Sequence, residues 1–194
     1  MARCWWGAST PDYQVYHDTE WGFPVDDDHR LFEKLCLEGF QSGLSWLTVL
    51  RKRPDFRRVF HDFDPQRVAA MGAEDVTRLL ADATIIRHRG KIEAAIANAA
   101  AAREVAVEWG TLAAFFWSFE PPERPPSPEP TSAESTELAK ELKRRRFRFV
   151  GPTTAHAFMQ ATGIVNDHVT GCATGDEVAS ARQLFVRPIR SVSS

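Results

Sequence analysis

The chain has 194 residues, of which 43% are hydrophobic, and a formal charge of −2 at pH 7. This length and composition support one hydrophobic core, and the near-neutral charge does not by itself indicate a nucleic-acid partner. Three cysteines argue against a disulfide framework, and no apolar run is long enough to span a membrane. We therefore expect a soluble, intracellular protein.

The N-terminal segment combines a cysteine, a histidine and many aromatic residues. Twelve residues separate Cys4 from His17, a spacing at which both side chains can share a metal ion. Both tyrosines and four of the six tryptophans lie in the first quarter of the chain. A helix over residues 12–20 places Tyr13, Tyr16 and His17 on one face. Ordinary core packing and an aromatic pocket are both compatible with this pattern.

Glu38 interrupts an otherwise apolar helix face. It continues the spacing of Leu31 and Leu35 at i, i+4 and i+7. A carboxylate on a core-facing stripe needs an explanation, because burying a charge without a partner is costly. A capping or ion-pair role and a functional role both remain open for Glu38 at this point.

The middle of the chain carries helix signals and no strand alternation. Asp64-Pro65 predicts a helix start and Gly72 its end, while apolar residues at helical spacing within 92–99 predict a long alanine-rich helix. An all-α fold is expected. Residues 121–130 contain six of the twelve prolines and predict an irregular loop within one domain.

A basic segment at residues 140–148 leads directly into Phe149-Val150-Gly151-Pro152-Thr153-Thr154. This pattern predicts a helix, a tight hairpin at Gly151 and a second helix that begins at Pro152. The free backbone N–H groups of that helix start, with the hydroxyls of Thr153 and Thr154, suit a DNA phosphate. An ordinary connection beside a solvated basic face is the alternative.

His168 and Cys172 form a second metal-ligand pair near the other end of the chain, about one helical turn apart. With Cys4 and His17 they complete a Cys₂His₂ set that suits tetrahedral zinc. Four protein ligands close the coordination shell, so a structural zinc that joins the two ends of the domain is favoured over a hydrolytic one. Four unrelated roles for these residues are the alternative.

The predicted domain covers residues 1–175. Residues 176–194 lack clear periodicity and are expected to form a loosely attached C-terminal tail, although their apolar side chains leave docking open.

Several longer motifs point to a known family. They follow one another from about residue 3 to Cys172 and comprise Tyr16-His17-Asp18, Glu20-Trp21-Gly22, Cys36-Leu37-Glu38-Gly39, Gly43-Leu44-Ser45-Trp46, Ile85-Ile86-Arg87-His88-Arg89-Gly90-Lys91, Phe149-Val150-Gly151 and Val165-Asn166-Asp167-His168. In these motifs the chain resembles the DNA-3-methyladenine glycosylase I family. The resemblance implies an all-α fold of the helix-hairpin-helix DNA glycosylase superfamily with a zinc clasp, and excision of 3-methyladenine from alkylated DNA.

The resemblance also implies roles for individual residues. The matched positions are the zinc ligands Cys4, His17, His168 and Cys172, the catalytic carboxylate Glu38, the pocket residues Tyr16, Trp46, Trp6, Tyr13 and Trp21, and the DNA-backbone contacts Gly151, Thr153 and Thr154.

The implied reaction is a monofunctional hydrolysis that leaves an abasic site. An adenine methylated at N3 is cationic in DNA and departs as a neutral base, so aromatic faces and a carboxylate can select it. The nucleotide must leave the stack for this contact. Asn166 stands where the wider superfamily has an aspartate, and Asp167 follows it.

The expected partner is double-stranded DNA containing 3-methyladenine, bound by a cytoplasmic monomer of prokaryotic type that acts on chromosomal DNA. A zinc-stabilised reader that binds a modified base without hydrolysis is one alternative. A hydrolytic zinc enzyme is another, and it needs three protein ligands with a metal-bound water.

Overall fold

The computed structural model describes residues 3–191, and within them it contains helices and no β-strand, which confirms the all-α prediction. None of these helices has the length and apolar character needed to cross a bilayer. The α-helices are α1 (Pro11–Thr19), α2 (Asp28–Gln41), α3 (Trp46–Val59), α4 (Pro65–Ala69), α5 (Ala73–Ala81), α6 (Arg89–Trp109), α7 (Leu112–Trp117), α8 (Ala133–Arg144), α9 (Pro152–Ala161) and α10 (Ala173–Leu184), with 3-10 turns at Trp5–Ala8 and His61–Phe63.

Helix α2 lies at the centre of the fold. It begins at Asp28, where the Asp27 side chain accepts a hydrogen bond from the Arg30 backbone N–H, and all of residues 31–40 are buried. Helices α3, α6, α7 and α9 pack around it. Because α2 is enclosed on all sides, Glu38 is buried together with the apolar stripe that it continues.

Local capping explains the neighbouring helix boundaries. Asp64 caps α4 and accepts a hydrogen bond from the Gln66 N–H, as predicted. The sequence predicted that Gly72 ends α4, and this prediction is wrong, because α4 already ends at Ala69. Gly72 caps the start of α5 instead, because the Asp75 carboxylate accepts its N–H and favours a new helix from that point.

The C-terminal third brings the two ends of the chain together. Residues 121–130 are irregular, as predicted, and lead to α8, which packs against α9. Helix α10 begins directly after Cys172 and buries Val178. Arg182 near the end of α10 and Arg187 beyond the helix both pair with Glu120. The division of the chain at residue 175 stays a prediction.

Candidate functional site

Four residues from the two ends of the chain converge in one buried cluster. The ligand atoms of Cys4, His17, His168 and Cys172 all lie within 4.8 Å of one another. Sulfur-to-nitrogen distances are 3.6 Å between Cys4 and His168, 3.6 Å between Cys172 and His17, and 3.5 Å between Cys172 and His168. Tetrahedral bonds of about 2.3 Å to sulfur and 2.0–2.1 Å to nitrogen place such atoms about 3.6 Å apart. The cluster therefore has the geometry to hold a metal ion.

Both imidazoles of the cluster are oriented by their outer nitrogen. His17 Nδ1 lies 2.7 Å from Asp18 Oδ1, and His168 Nε2 lies 3.1 Å from the Trp21 carbonyl oxygen. Arg3 in turn holds Asp18 at 2.6 Å. Because each outer N–H donates to an oxygen, the inner nitrogen presents its lone pair to the cluster. Burial lowers the pKa of His168 to about 4 and keeps that lone pair free at pH 7.

The Cys4 thiol of the cluster needs a positive charge in order to ionise. Burial raises the pKa of Cys4 to about 11, so a thiolate at this position requires a nearby cation. The third cysteine, Cys36, is also buried but belongs to the core face of α2 and not to the cluster.

A cavity of about 210 Å³ opens beside the cluster. All six residues expected in or around a pocket line it, and three further residues, which sequence reasoning missed, complete the lining. The predicted members are Trp6, Tyr13, Tyr16, Trp21, Glu38 and Trp46, and the additional ones are Gln41, Ala157 and Gln160.

The aromatic side chains form a connected wall between cavity and cluster. The ring centroid of Trp6 lies 5.6 Å from Tyr13 and 5.0 Å from Trp21, both edge to face, and 5.2 Å from His17. Tyr16 and Trp46 face each other at 5.5 Å with a tilt of 46°. Because Trp6 packs against His17, any contact that fixes His17 also fixes the position of this aromatic wall.

A buried ion cluster supports Tyr16 from behind. Lys34 and Arg53 lie 5.7 Å and 6.0 Å from the Tyr16 ring centroid, and each also binds Glu20 at 2.7 Å. Burial opposes ionisation of Glu20, but the two cations outweigh it and lower its pKa to about 2. These contacts join α1, α2 and α3 behind the cavity.

Glu38 is the carboxylic acid in the cavity lining. Its side chain is buried, with a relative exposure of 6%, and no hydrogen bond joins its carboxyl to any residue of 3–191. Burial raises the pKa of this carboxyl to about 8, although the Lys34 ammonium opposes the shift. Glu38 is thus mainly protonated at pH 7 and has hydrogen-bonding capacity that no described residue uses.

The connection between α8 and α9 is a tight turn whose left-handed residues are Arg146 (φ 70°) and Phe149 (φ 56°). Gly151 caps α9 with a φ of −88°, so its role is capping. The buried Asn98 amide holds the turn, because it donates to the Arg148 carbonyl at 3.0 Å and accepts from the Arg148 N–H at 2.8 Å. Gly151 and Thr153 are exposed beside it, and Thr154 is half-buried.

Most of the basic segment is neutralised. Glu104 and Glu108 reach it from α6, in addition to acidic residues of α8 itself. Within residues 3–191, Lys143 and Arg148 have no acidic partner. The pairs are Lys140–Glu137, Arg144–Glu141, Arg145–Glu108, Arg145–Glu141 and Arg146–Glu104.

Neither Asn166 nor Asp167 lines the cavity. Asn166 accepts the His168 N–H at 3.3 Å and donates to the Gly175 carbonyl at 3.2 Å. Burial opposes ionisation of Asp167, but its hydrogen bonds lower its pKa to about 2, and one donor is Gln160. In the sequence, Gln160 was marked only by its position one helical turn after His156. The structure shows that His156 is buried.

Comparison with known proteins identifies the family. Residues 5–175 match the profile of the Methyladenine glycosylase family. DNA-3-methyladenine glycosylase 1 of Escherichia coli (strain K12) is 51% identical over 179 residues, which cover 89% of this chain and 96% of that protein. The chain belongs to the methyladenine glycosylase family.

Solved structures share the methyladenine glycosylase fold. A crystal structure of a variant of 3-methyladenine DNA glycosylase I (TAG) in complex with 3-methyladenine matches with a TM-score of 0.86 at 34% identity, covering 90% of this chain and 98% of that one. TAG from Staphylococcus aureus, a structure that addresses 3-methyladenine recognition, matches with a TM-score of 0.84 at 34% identity, covering 89% and 96%. The all-helical architecture is therefore that of the family.

Proposed function

We propose that this protein is a monofunctional DNA glycosylase that excises 3-methyladenine from alkylated double-stranded DNA and leaves an abasic site. Its family membership and the names of its relatives support this reaction. The single observation that carries the proposal is the buried Glu38 carboxyl, which has no hydrogen-bond partner among residues 3–191 and lines an aromatic cavity.

The cavity selects the methylated base by its charge. The flipped base is a cation, and it lies against the electron-rich faces of Tyr16 and Trp46, each worth about 0.5–2 kcal/mol. A cation beside Glu38 offsets the burial that raises the pKa of this carboxyl, so binding favours the carboxylate. The carboxylate then makes a charge-assisted hydrogen bond to the base edge. Neutral adenine gains neither effect.

The reaction needs little further catalysis from the protein. Cleavage of the glycosidic bond neutralises the base, and water attacks the sugar carbon as positive charge develops there. Asn166 and Asp167 lie outside the cavity, so neither acts as a base toward this water. The cationic base is already a good leaving group, and the cost of flipping is lowest at damaged pairs.

The Cys/His cluster holds a structural zinc ion. Two thiolates and two neutral imidazoles are a zinc donor set, and the distances of 3.5–3.6 Å between sulfur and nitrogen support tetrahedral binding. Four protein ligands leave no position for a substrate, so the ion stabilises the fold and supplies no reacting group. Through His17 it fixes the adjacent Tyr16.

Helices α8 and α9 and the turn between them form a helix-hairpin-helix motif that grips the DNA backbone. The start of α9 offers free N–H groups at Gly151, Thr153 and Thr154, and the exposed Arg148 adds charge. The enzyme works as a monomer on chromosomal DNA in the prokaryotic cytoplasm. Residues 1–175 form its glycosylase domain, and residues 176–194 are a C-terminal tail whose first turns belong to α10.

Release of bases from methylated DNA tests this function. The folded, zinc-loaded protein is incubated with duplex DNA treated with a methylating agent, and the free bases are separated by chromatography against 3-methyladenine and 7-methylguanine standards. Selective release of 3-methyladenine is expected. Binding to the methylated duplex without release would instead favour the non-catalytic reader.

A further inference from the structure

The Gln160 amide is a further polar group in the cavity lining, and Asp167, which lies outside the cavity, fixes its orientation. Gln160 belongs to α9 and lines the cavity. Its Nε2 lies 2.9 Å from Oδ2 of the buried Asp167. Asp167, which does not line the cavity, is thus joined by a hydrogen bond to Gln160, which does.

Asp167 accepts hydrogen bonds from several directions. Arg124 lies 3.2 Å from its Oδ1, and the Ser127 N–H donates to the same oxygen at 3.0 Å. A carboxylate paired with a guanidinium only accepts hydrogen bonds, so the Gln160 amide must present its N–H₂ side. The reversed amide would place Oε1 against a carboxylate oxygen and is disfavoured.

His156 does not disturb this orientation. Its Nε2 lies 3.3 Å from Asp167 Oδ2, the oxygen that Gln160 contacts at 2.9 Å, and 3.3 Å from Gln160 Nε2, while its buried Nδ1 has no partner among the described residues. A bare Nδ1 lone pair costs less than an unpaired N–H, so the Nε2–H tautomer, which donates to Asp167, is favoured. Both side chains then donate to Asp167, and Gln160 Oε1 stays available to the cavity.

We propose that Gln160 is a specificity-determining residue, whose Oε1 accepts a hydrogen bond from the exocyclic amino group of a flipped adenine-type base. Asp167 is its positioning residue. A guanine-type base carries an oxygen at the corresponding position, which faces the same acceptor without a proton between them. The assignment rests on the proposed glycosylase function and adds to it a reason to prefer 3-methyladenine over 3-methylguanine.

Glu38 cannot supply this discrimination alone. Beside an adenine-type cation Glu38 accepts as a carboxylate, but its raised pKa of about 8 keeps the neutral carboxyl accessible, and that form can donate to the oxygen of a guanine-type base. The Gln160 carbonyl accepts only. A site built around a fixed acceptor rejects ligands that lack the matching donor, because its buried polar group then remains unpaired.

The test compares two lesions on the same DNA. Duplex DNA methylated to contain 3-methyladenine and 3-methylguanine is incubated with the wild-type protein, Gln160→Met and Gln183→Met, and the initial release rates of both bases are measured. Gln183 is exposed on α10 outside this cavity and serves as the control. The ratio of the two rates is insensitive to the fraction of folded protein, because unfolding lowers both rates together.

We expect the wild-type protein and Gln183→Met to favour 3-methyladenine strongly. In Gln160→Met this preference falls by roughly tenfold, as the loss of one buried hydrogen bond and of one repulsive contact predicts. Asp167→Asn is the second variant, since its amide can donate to Oε1 and allow Gln160 to turn. In Asp167→Asn the ratio of the 3-methyladenine to the 3-methylguanine release rate also falls. The metal content of this variant shows whether the neighbouring His168 is disturbed.

Each outcome has a distinct meaning. No release of 3-methyladenine by the wild-type protein contradicts the proposed glycosylase function itself. Wild-type release with equal rates for both lesions, or an unchanged ratio in Gln160→Met, overturns the specificity role of Gln160. An altered ratio in Gln160→Met but not in Asp167→Asn contradicts the positioning role of Asp167.

Discussion

The metal cluster and the base cavity both bury ionisable groups, and they share the wall formed by Trp6 and Trp21. In the cluster, the outer nitrogen of His17 and of His168 has a protein acceptor, and the inner atoms converge on one another. In the cavity, Glu38 has no partner within residues 3–191. Buried polar atoms that converge on one point hold a structural ion, whereas an unpartnered group awaits a transient ligand.

The two regions also differ in how they obtain positive charge. The Cys4 thiol ionises only beside a cation, and the closed cluster can retain one permanently. Burial raises the pKa of Glu38 to about 8, and on the proposed function a cationic base would restore its carboxylate form. Loss of metal should therefore damage the fold, while changes in the cavity should damage recognition.

Removal of a metal ligand is expected to have the largest effect. Cys4→Ser should abolish stoichiometric zinc and lower the Tm by roughly 10–20 °C, since several kcal/mol of metal-linked stability are lost. Metal analysis and thermal melting measure this. Cys36→Ala is the matched control, because it removes a buried cysteine outside the cluster and should keep one zinc per chain. A metal-free wild-type protein that melts at the same temperature would contradict the structural role.

The pH dependence of stability tests the burial of Glu38. Its folded pKa of about 8 lies above the ordinary value of 4.5, so between these values the folded state binds more protons than the unfolded state. Stability then falls with rising pH by up to about 1.4 kcal/mol per pH unit. Glu38→Gln lacks this loss, and its Tm advantage over the wild-type protein should grow from pH 5 to pH 8. A constant difference in melting across this range would show that Glu38 is not desolvated.

Replacement of Trp46 tests whether the aromatic wall of the cavity contributes to base recognition. Trp46→Leu keeps apolar bulk but removes the electron-rich face, and 3-methyladenine release should slow by roughly three- to thirtyfold. Trp5→Leu is the control, since Trp5 is 82% exposed and does not line the cavity. Equal rates in the two variants would argue that Trp46 only fills space.

The smallest effect is expected at the hairpin. Arg148→Ala should reduce the slope of log affinity against log salt by about 1, because one phosphate contact is lost. Titration of undamaged duplex DNA at several salt concentrations measures this slope. Arg144→Ala should leave it unchanged, since Glu141 already neutralises Arg144. A reduced slope in both variants would indicate a diffuse basic face.

The sequence was sufficient to predict features that depend on neighbouring residues or on the few residue types that bind metal. Few residue types bind zinc, so Cys4, His17, His168 and Cys172 stood out by type and spacing, and the structure brings them together. Asp64 caps α4 because capping depends on neighbours two or three residues away. Burial of Glu38 followed from its position on an apolar stripe.

Features that depend on distant segments could not be predicted. The partners Glu104 and Glu108 of the basic segment lie about forty residues before it and reach it only because α6 packs beside the turn. The left-handed backbone at Phe149 follows Arg148, whose backbone N–H and carbonyl are held by Asn98, also from α6, and it has no local signature. Gln160 resembled an ordinary helix-end residue until Asp167 oriented it toward the cavity.

The most direct test of the account is single-turnover release of 3-methyladenine by Glu38→Gln, compared with the wild-type protein at equal zinc content. The variant keeps the shape of the side chain but cannot become a carboxylate. We predict a folded protein that melts at or above the wild-type Tm and release slowed by roughly ten- to hundredfold, the effect of losing one charge-assisted hydrogen bond. Equal rates in the two proteins would contradict the assignment of the cavity as the base-recognition site.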